Sequence, residues 1–403
     1  MFRSPQITLI ILFISTMLIL PLSALGGDFS LTSRTSATSW EEEDGTTNSS
    51  ASEYLKFYNR GALGGFRLDL EGYGRFSQLE EEWEPGDEPG DEDPNRLYVL
   101  AMTLSGENDR NVIILGRQFV TALVGPEMID GLSIQTEAGK ATFNARWGYR
   151  SDVSGGSEDD IILGLGFDYN IKQGMYLSLD YGRTYDDRTL SELLATEWVY
   201  SWHRFTKAYI NLNWDLMSQT LHESLVGTRL FFSDRFSAVV EFAHNVQVFD
   251  SDSIYSVFAV DAAYTRSFSL LFTPSRNTKY AWDYVVESSK DGGAKRYVVS
   301  GHWTPGRSKI YSSLLQHTGT GGDVTEISAS VSTPVFKNFY AGIGGDLATT
   351  ENPGESSVKS HLAYLSGEWE LGPNTSVDLR LEHCGDELTE PTRTARLALK
   401  VEF

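Results

Sequence analysis

The sequence predicts an all-β chain: a single antiparallel up-and-down β-barrel that spans a membrane, with about 22 strands inside a range of roughly 16 to 22. Three observations carry this. Segments of about ten residues alternate apolar with polar along most of the chain, the period of a strand with two different faces. The breaks between them come in two kinds that take turns, one tight and one longer. No long apolar run follows the first residues, the mean hydropathy is −0.26, and yet aromatics reach 12%, with 19 Tyr, 21 Phe and 9 Trp. Helical membrane spans exclude that combination, whereas a barrel with a lipid face, a polar lumen and two aromatic girdles demands it.

At the amino terminus Arg3 precedes an apolar run, Ile7 to Leu22, and a small-residue stretch, Ser23-Ala24-Leu25-Gly26-Gly27. At about 16 residues the run is short for a ~30 Å hydrocarbon core, so residues 1–26 read as a secretory signal and residues 27–403 as the barrel. The first strand then starts near Asp28, which leaves no segment for an amino-terminal plug. Alternation is clear in Phe66 to Glu71, Ala141 to Tyr149, Met175 to Tyr181, Ala208 to Leu216, Tyr280 to Val286 and Val377 to Leu381. Tight breaks such as Glu137-Ala138-Gly139-Lys140, Lys172-Gln173-Gly174 and Gly372-Pro373-Asn374 carry turn residues. Longer acidic or Gly/Ser-rich breaks, such as Glu80 to Pro94 and Asp152 to Asp160, alternate with them, as expected of a periplasmic and an extracellular rim.

The last residues settle the compartment. Ala395, Leu397, Leu399, Val401 and Phe403 fall on one face of a strand, with Arg396, Lys400 and Glu402 on the other. This ending resembles the carboxy-terminal strand of Gram-negative outer-membrane β-barrels. The resemblance implies a bacterial outer-membrane location, outer-membrane lipid and the barrel-assembly machinery as partners, and Leu397, Leu399, Val401 and Phe403 as the assembly signal. A formal net charge of −22, from 33 basic and 55 acidic residues, argues against nucleic acid, whose phosphates need a basic surface. The single cysteine, Cys384, excludes a disulfide framework and an all-cysteine metal cage within one chain.

If the apolar positions face lipid, Arg67, Asp69, Glu71, Arg75, Arg146, Asp168, Asp180, Asp215, Arg229, Asp378, Arg380 and Glu382 face the lumen. Such a wall is either an ionic pathway that selects solutes or a cross-strand salt-bridge lattice that solvates the interior. A second feature is Val120 to Asp130, an expected outer-rim loop whose Val120, Ala122, Leu123, Val124, Met128 and Ile129 are too apolar for water. Such a loop folds inward or packs on the rim, which makes Arg117, Gln118, Glu127 and Asp130 candidates for a pore constriction. The pair of strings Gly116-Arg117-Gln118 and Asp130-Gly131-Leu132 resembles a feature of porin-like barrels. The third, Glu80 to Pro94, holds acids and no base, and it lacks the spacing of a calcium loop, so a solvated surface loop is expected. Nucleophile-elbow, zincin and phosphate-loop motifs are missing, His302, His317, His361 and His383 are scattered, and no catalytic residue, metal site or cofactor is expected.

The function expected is a passive porin-like channel for small hydrophilic solutes or ions. The alternative is a barrel sheath that holds a multihaem cytochrome, or another periplasmic partner, across the outer membrane. It follows from a wide barrel with no plug.

Overall fold

The computed structural model describes residues 28–41, 47–63, 65–80, 95–151, 157–186, 189–202, 205–246, 262–290, 292–354, 356–388 and 391–402. The expected signal, nearly all of the acidic segment Glu80 to Pro94, and Phe403 lie outside the described residues. The alternating segments form 22 strands: β1 Asp28–Glu41, β2 Thr47–Leu63, β3 Phe66–Glu80, β4 Arg96–Ser105, β5 Asn111–Ala122, β6 Gly125–Ala138, β7 Ala141–Ser151, β8 Ser157–Lys172, β9 Met175–Tyr185, β10 Thr189–Trp202 and β11 Thr206–Asp215. The series continues with β12 Thr220–Ser233, β13 Phe236–Asn245, β14 Ala263–Ser275, β15 Thr278–Ser289, β16 Gly292–Trp303, β17 Lys309–Gly319, β18 Asp323–Phe336, β19 Phe339–Glu351, β20 Val358–Gly372, β21 Thr375–Asp386 and β22 Thr392–Glu402.

Each strand pairs antiparallel with the next, and β22 returns to β1 in a register from Thr32↔Glu402 to Trp40↔Thr394. Closure leaves no sheet edge, the only way a sheet survives in hydrocarbon, where an unpaired backbone amide costs several kcal/mol. The faces follow the pleat. On β7, Phe143 and Trp147 are half exposed while Arg146 between them is 5% exposed; on β22, Leu397 and Leu399 are exposed and Ala398 is buried. The exposed apolar set is therefore the barrel's outside. Near the rim of the chain ends it gathers aromatics, Trp202, Phe205, Phe232, Trp303 and Phe336, each at least half exposed, in the position of an interfacial girdle.

The same rim carries two-residue turns, Gly139-Lys140, Gln173-Gly174, Asp234-Arg235, Arg276-Asn277, Lys337-Asn338 and Pro373-Asn374. The opposite rim holds the strand ends on either side of the longest breaks, Glu80 and Arg96, and Asn245 and Ala263, but it is less uniform than the sequence suggests. Leu123-Val124 and Thr320 to Gly322 close strands as tightly as turns on the other side. With strands ~4.8 Å apart and tilted by ~40°, a circular section would measure about 44 Å across the backbone.

Candidate functional site

The segment Val120 to Asp130, expected as a loop, is strand: it forms the upper part of the β5–β6 hairpin, closed by the turn Leu123-Val124. The difference has a local cause, since Ala122↔Gly125 allows a two-residue turn and the apolar residues on either side are good strand formers. β5 pairs with β4 only from Val112 to Arg117, and β6 pairs with β7 only from Ile129 downward. Above that level the hairpin, from Phe119↔Met128 to Ala122↔Gly125, pairs with itself alone. It leaves the wall there.

Glycine makes the departure feasible. Gly116, Gly131 and Gly148 lie side by side on β5, β6 and β7. Gly116 has φ +113°, and a Cβ on Gly131 would stand 2.1 Å from the Trp147 carbonyl oxygen. Only residues without Cβ let the three backbones approach and bend at one level. Arg117 and Asp130 flank this hinge on the side of exposed Leu97 and Leu100, joined by a two-pronged ion pair of 2.8 and 2.6 Å, and Arg117 also donates to the Leu97 carbonyl at 3.1 Å. Gln118 turns the other way, is buried, and donates to the backbone oxygen of Ile114 at 3.3 Å.

The tip of the hairpin comes to rest on the inner face of β9, three strands further on. The Val124 amide donates to Asp180 at 3.4 Å, and Arg146 of β7 donates from Nε to Glu127 at 2.7 Å and from Nη1 to Asp180 at 2.9 Å. Arg146 and Asp180 are 5% and 6% exposed at the side chain, so one buried cation bridges two strands of the wall and the hairpin. The floor is again glycine. A Cβ on Gly164 would fall 2.2 Å from the Arg146 guanidinium carbon, and one on Gly182 would fall 2.8 Å from a Val124 methyl. Four residue pairs reach roughly 14 Å, so the hairpin narrows one side of a lumen of this width rather than closing it.

The other expected wall residues divide by partner. Arg67 binds Asp69 and Asp109 at 2.9 Å, Arg60 approaches Asp69 at 3.4 Å, Lys56 meets Glu71 at 3.3 Å, and Arg380 binds Glu382 at 2.5 Å while stacking 4.2 Å from the Tyr364 ring centre. Arg75 stands in register with Arg96, Asp378 with Ala398 and Glu368, and Arg229 lies exposed opposite Lys207 and Val239. Asp215 is used by its own turn, accepting from the Met217 amide at 2.9 Å and Ser218 at 2.6 Å. Asp168 accepts from Asn144 at 3.1 Å and from Ser178.

Sequence reasoning missed Glu197, which accepts from Tyr176 at 2.7 Å, and Glu241, which accepts from Tyr209 and from Ser267. Gly164 and Gly166 in mid-strand were a readable sign, because glycine inside a strand marks a place where something approaches closely. His361 and His383 come together, with ring centres 5.4 Å apart, and Cys384 contacts Thr392. Among the described residues no group of three or more His, Cys, Asp or Glu is placed to hold a metal.

No family model matches the sequence, and no curated protein resembles it. Solved structures do. The translocation pore of the P pilus usher PapC aligns over 93% of this chain and 99% of its own, with 9% identity and a TM-score of 0.52. The chain has the fold of an outer-membrane β-barrel. OpdQ of Pseudomonas aeruginosa, over 94% of this chain and 99% of its own, has 9% identity and a TM-score of 0.47. A BenF-like porin of Pseudomonas fluorescens, over 94% and 98%, has 9% identity and 0.45. At such identities the likeness is one of fold, and what crosses this barrel must be argued from its own residues.

Proposed function

We propose that the barrel is a porin-like channel for passive diffusion of small hydrophilic solutes, with a preference for cations. The observation that carries this reading is the β5–β6 hairpin, folded into a polar lumen and fastened there by Arg146 between Glu127 and Asp180. A hairpin that only decorated the rim would not need a buried charge cluster to hold it against the wall. The sheath reading rests on a wide lumen with nothing of the chain's own inside it, and the hairpin removes the second half of that premise.

Reconstituted alone in planar bilayers, the protein should give stable conductance steps. Replacing Phe119–Met128 with a two-residue turn between the paired Gln118 and Ile129 should raise the step size, because the shortened hairpin ends at the level of the wall. A correctly folded barrel that gives no steps would sink the channel reading, and haem absorbance in stoichiometric amounts in the native preparation would put the sheath in its place.

A further inference from the structure

A cavity of about 570 Å³ lies between the hairpin and the inner face of the wall around β7 to β10. That volume lies within the range of small-molecule sites. One side of it is apolar: Val112 and Ile114 line it from β5 and Val120 from the hairpin. Val112 and Ile114 are inward-facing apolar residues in a lumen whose other alternate positions are mostly polar, so they have no role in solvating the channel. The other side carries the carboxylates of Asp168 and Glu197.

The donors that the structure gives these two carboxylates are neutral. Asp168 receives the Asn144 amide and the Ser178 hydroxyl, and Glu197 receives the Tyr176 hydroxyl. A carboxylate offers about four acceptor sites, and neutral donors satisfy some of them without cancelling the charge. The guanidinium at the cavity's margin, Arg146, is already shared by Glu127 and Asp180. A bare divalent ion is a poor match, since among the described residues no three ligating side chains converge. An anion would meet two like charges, and a neutral solute would leave them uncompensated.

We propose that this cavity is a binding subsite for small organic cations, an ammonium or guanidinium head on a short apolar stem. The head lies against Asp168 and Glu197, and the stem lies along Val112, Ile114 and Val120. As a step in transport the subsite rests on the channel reading; its chemistry does not.

The test uses n-butylammonium as probe and butyrate as the anion of similar stem. Saturation-transfer NMR on the detergent-folded barrel should show butylammonium bound and butyrate not, and butylammonium should block single-channel current in proportion to its concentration. Asp168→Asn and Glu197→Gln should each weaken both effects roughly tenfold, the size of one partly screened charge contact. Where either variant loses the heat-modifiable gel migration of a folded barrel, Gln135→Lys replaces it, placing an ammonium inside the cavity that should exclude butylammonium. Butylammonium that fails to bind, or binds all folded variants as it binds the parent, overturns the proposal. A barrel that binds butylammonium in the NMR experiment yet conducts nothing keeps the subsite and removes the channel.

Discussion

Two arcs of the inner wall satisfy their carboxylates in different ways. Across β2, β3 and β21 the partners are mostly cations: Arg60 and Arg67 on Asp69, Lys56 on Glu71, Arg380 on Glu382, with buried Glu53, which accepts from the Ser33 and Thr35 hydroxyls, as the exception. Across β8 to β14 they are mostly hydroxyls and amides: Ser178 and Asn144 on Asp168, Tyr176 on Glu197, Tyr209 and Ser267 on Glu241. Where the first arc pairs its carboxylates with cations the charges cancel locally, which shortens the reach of their field. In the second, the donors to Asp168, Glu197 and Glu241 leave those charges uncancelled, and the hairpin lies beside two of them, Asp168 and Glu197. The difference teaches that counting charged positions is a poor guide to a lumen; the identity of each donor decides whether a carboxylate is felt by a passing ion.

The largest break in this comparison comes from Arg146, the exception in the second arc. Arg146→Met keeps the stem and removes the cation, leaving Glu127 and Asp180 facing each other with little water. Removing one partner of a buried ion pair costs about 3 to 5 kcal/mol. Part of that is relieved if the hairpin lifts away, so the variant should fold and show noisy, enlarged conductance together with protease cleavage near Leu123-Val124. A variant with parental conductance and an uncut hairpin would show that the ion pairs do not fasten it.

Both arcs presuppose that lipid lies on the opposite face. Leu399 is exposed beside Lys400, whose Nζ meets Glu402 at 2.5 Å on the inner side of β22. Leu399→Arg should cost about 2 to 4 kcal/mol if the side chain sits near the bilayer midplane, and Lys400→Gln should cost little. Urea titrations of folding into lipid vesicles measure both, and equal costs would mean that inside and outside have been exchanged.

The barrel was legible in the sequence because its evidence is local. Leu397 and Leu399 alternate with Arg396 and Lys400 within one strand, and a period of two needs no knowledge of neighbours. The hairpin was half legible: the apolar residues from Val120 to Ile129 showed that the segment avoids water, but not that it stays paired as strand. Its anchor was not legible at all. Glu127 and Asp180 lie 19 and 34 residues from Arg146, and they meet only because the hairpin leaves the wall at the Gly116, Gly131 and Gly148 hinge. The second arc was hidden for a related reason. Whether Glu197 faces a lysine or Tyr176, 21 residues away, depends on strand register, which composition does not give.

The smallest effect is the most direct test of the two arcs. Glu197→Gln removes a carboxylate whose donor, Tyr176, is neutral, so the lumen loses one uncancelled charge. Removing the whole Lys56–Glu71 pair, as Lys56→Gln with Glu71→Gln, takes away one charge of each sign. Its side chains are 58% and 42% exposed, and an exposed pair of this kind contributes only about 0 to 1 kcal/mol. The double variant should therefore keep both stability and ion preference, whereas the single variant should keep stability and lose part of its cation preference. The zero-current potential under a KCl gradient reads this. The loss should grow as salt falls from about 1 M to about 0.01 M, because the screening length rises from ~3 Å to ~30 Å and carries the field of Glu197 into the lumen. If the paired and unpaired deletions shift the potential alike at low salt, donor identity does not set the field and the division into two arcs has no functional meaning.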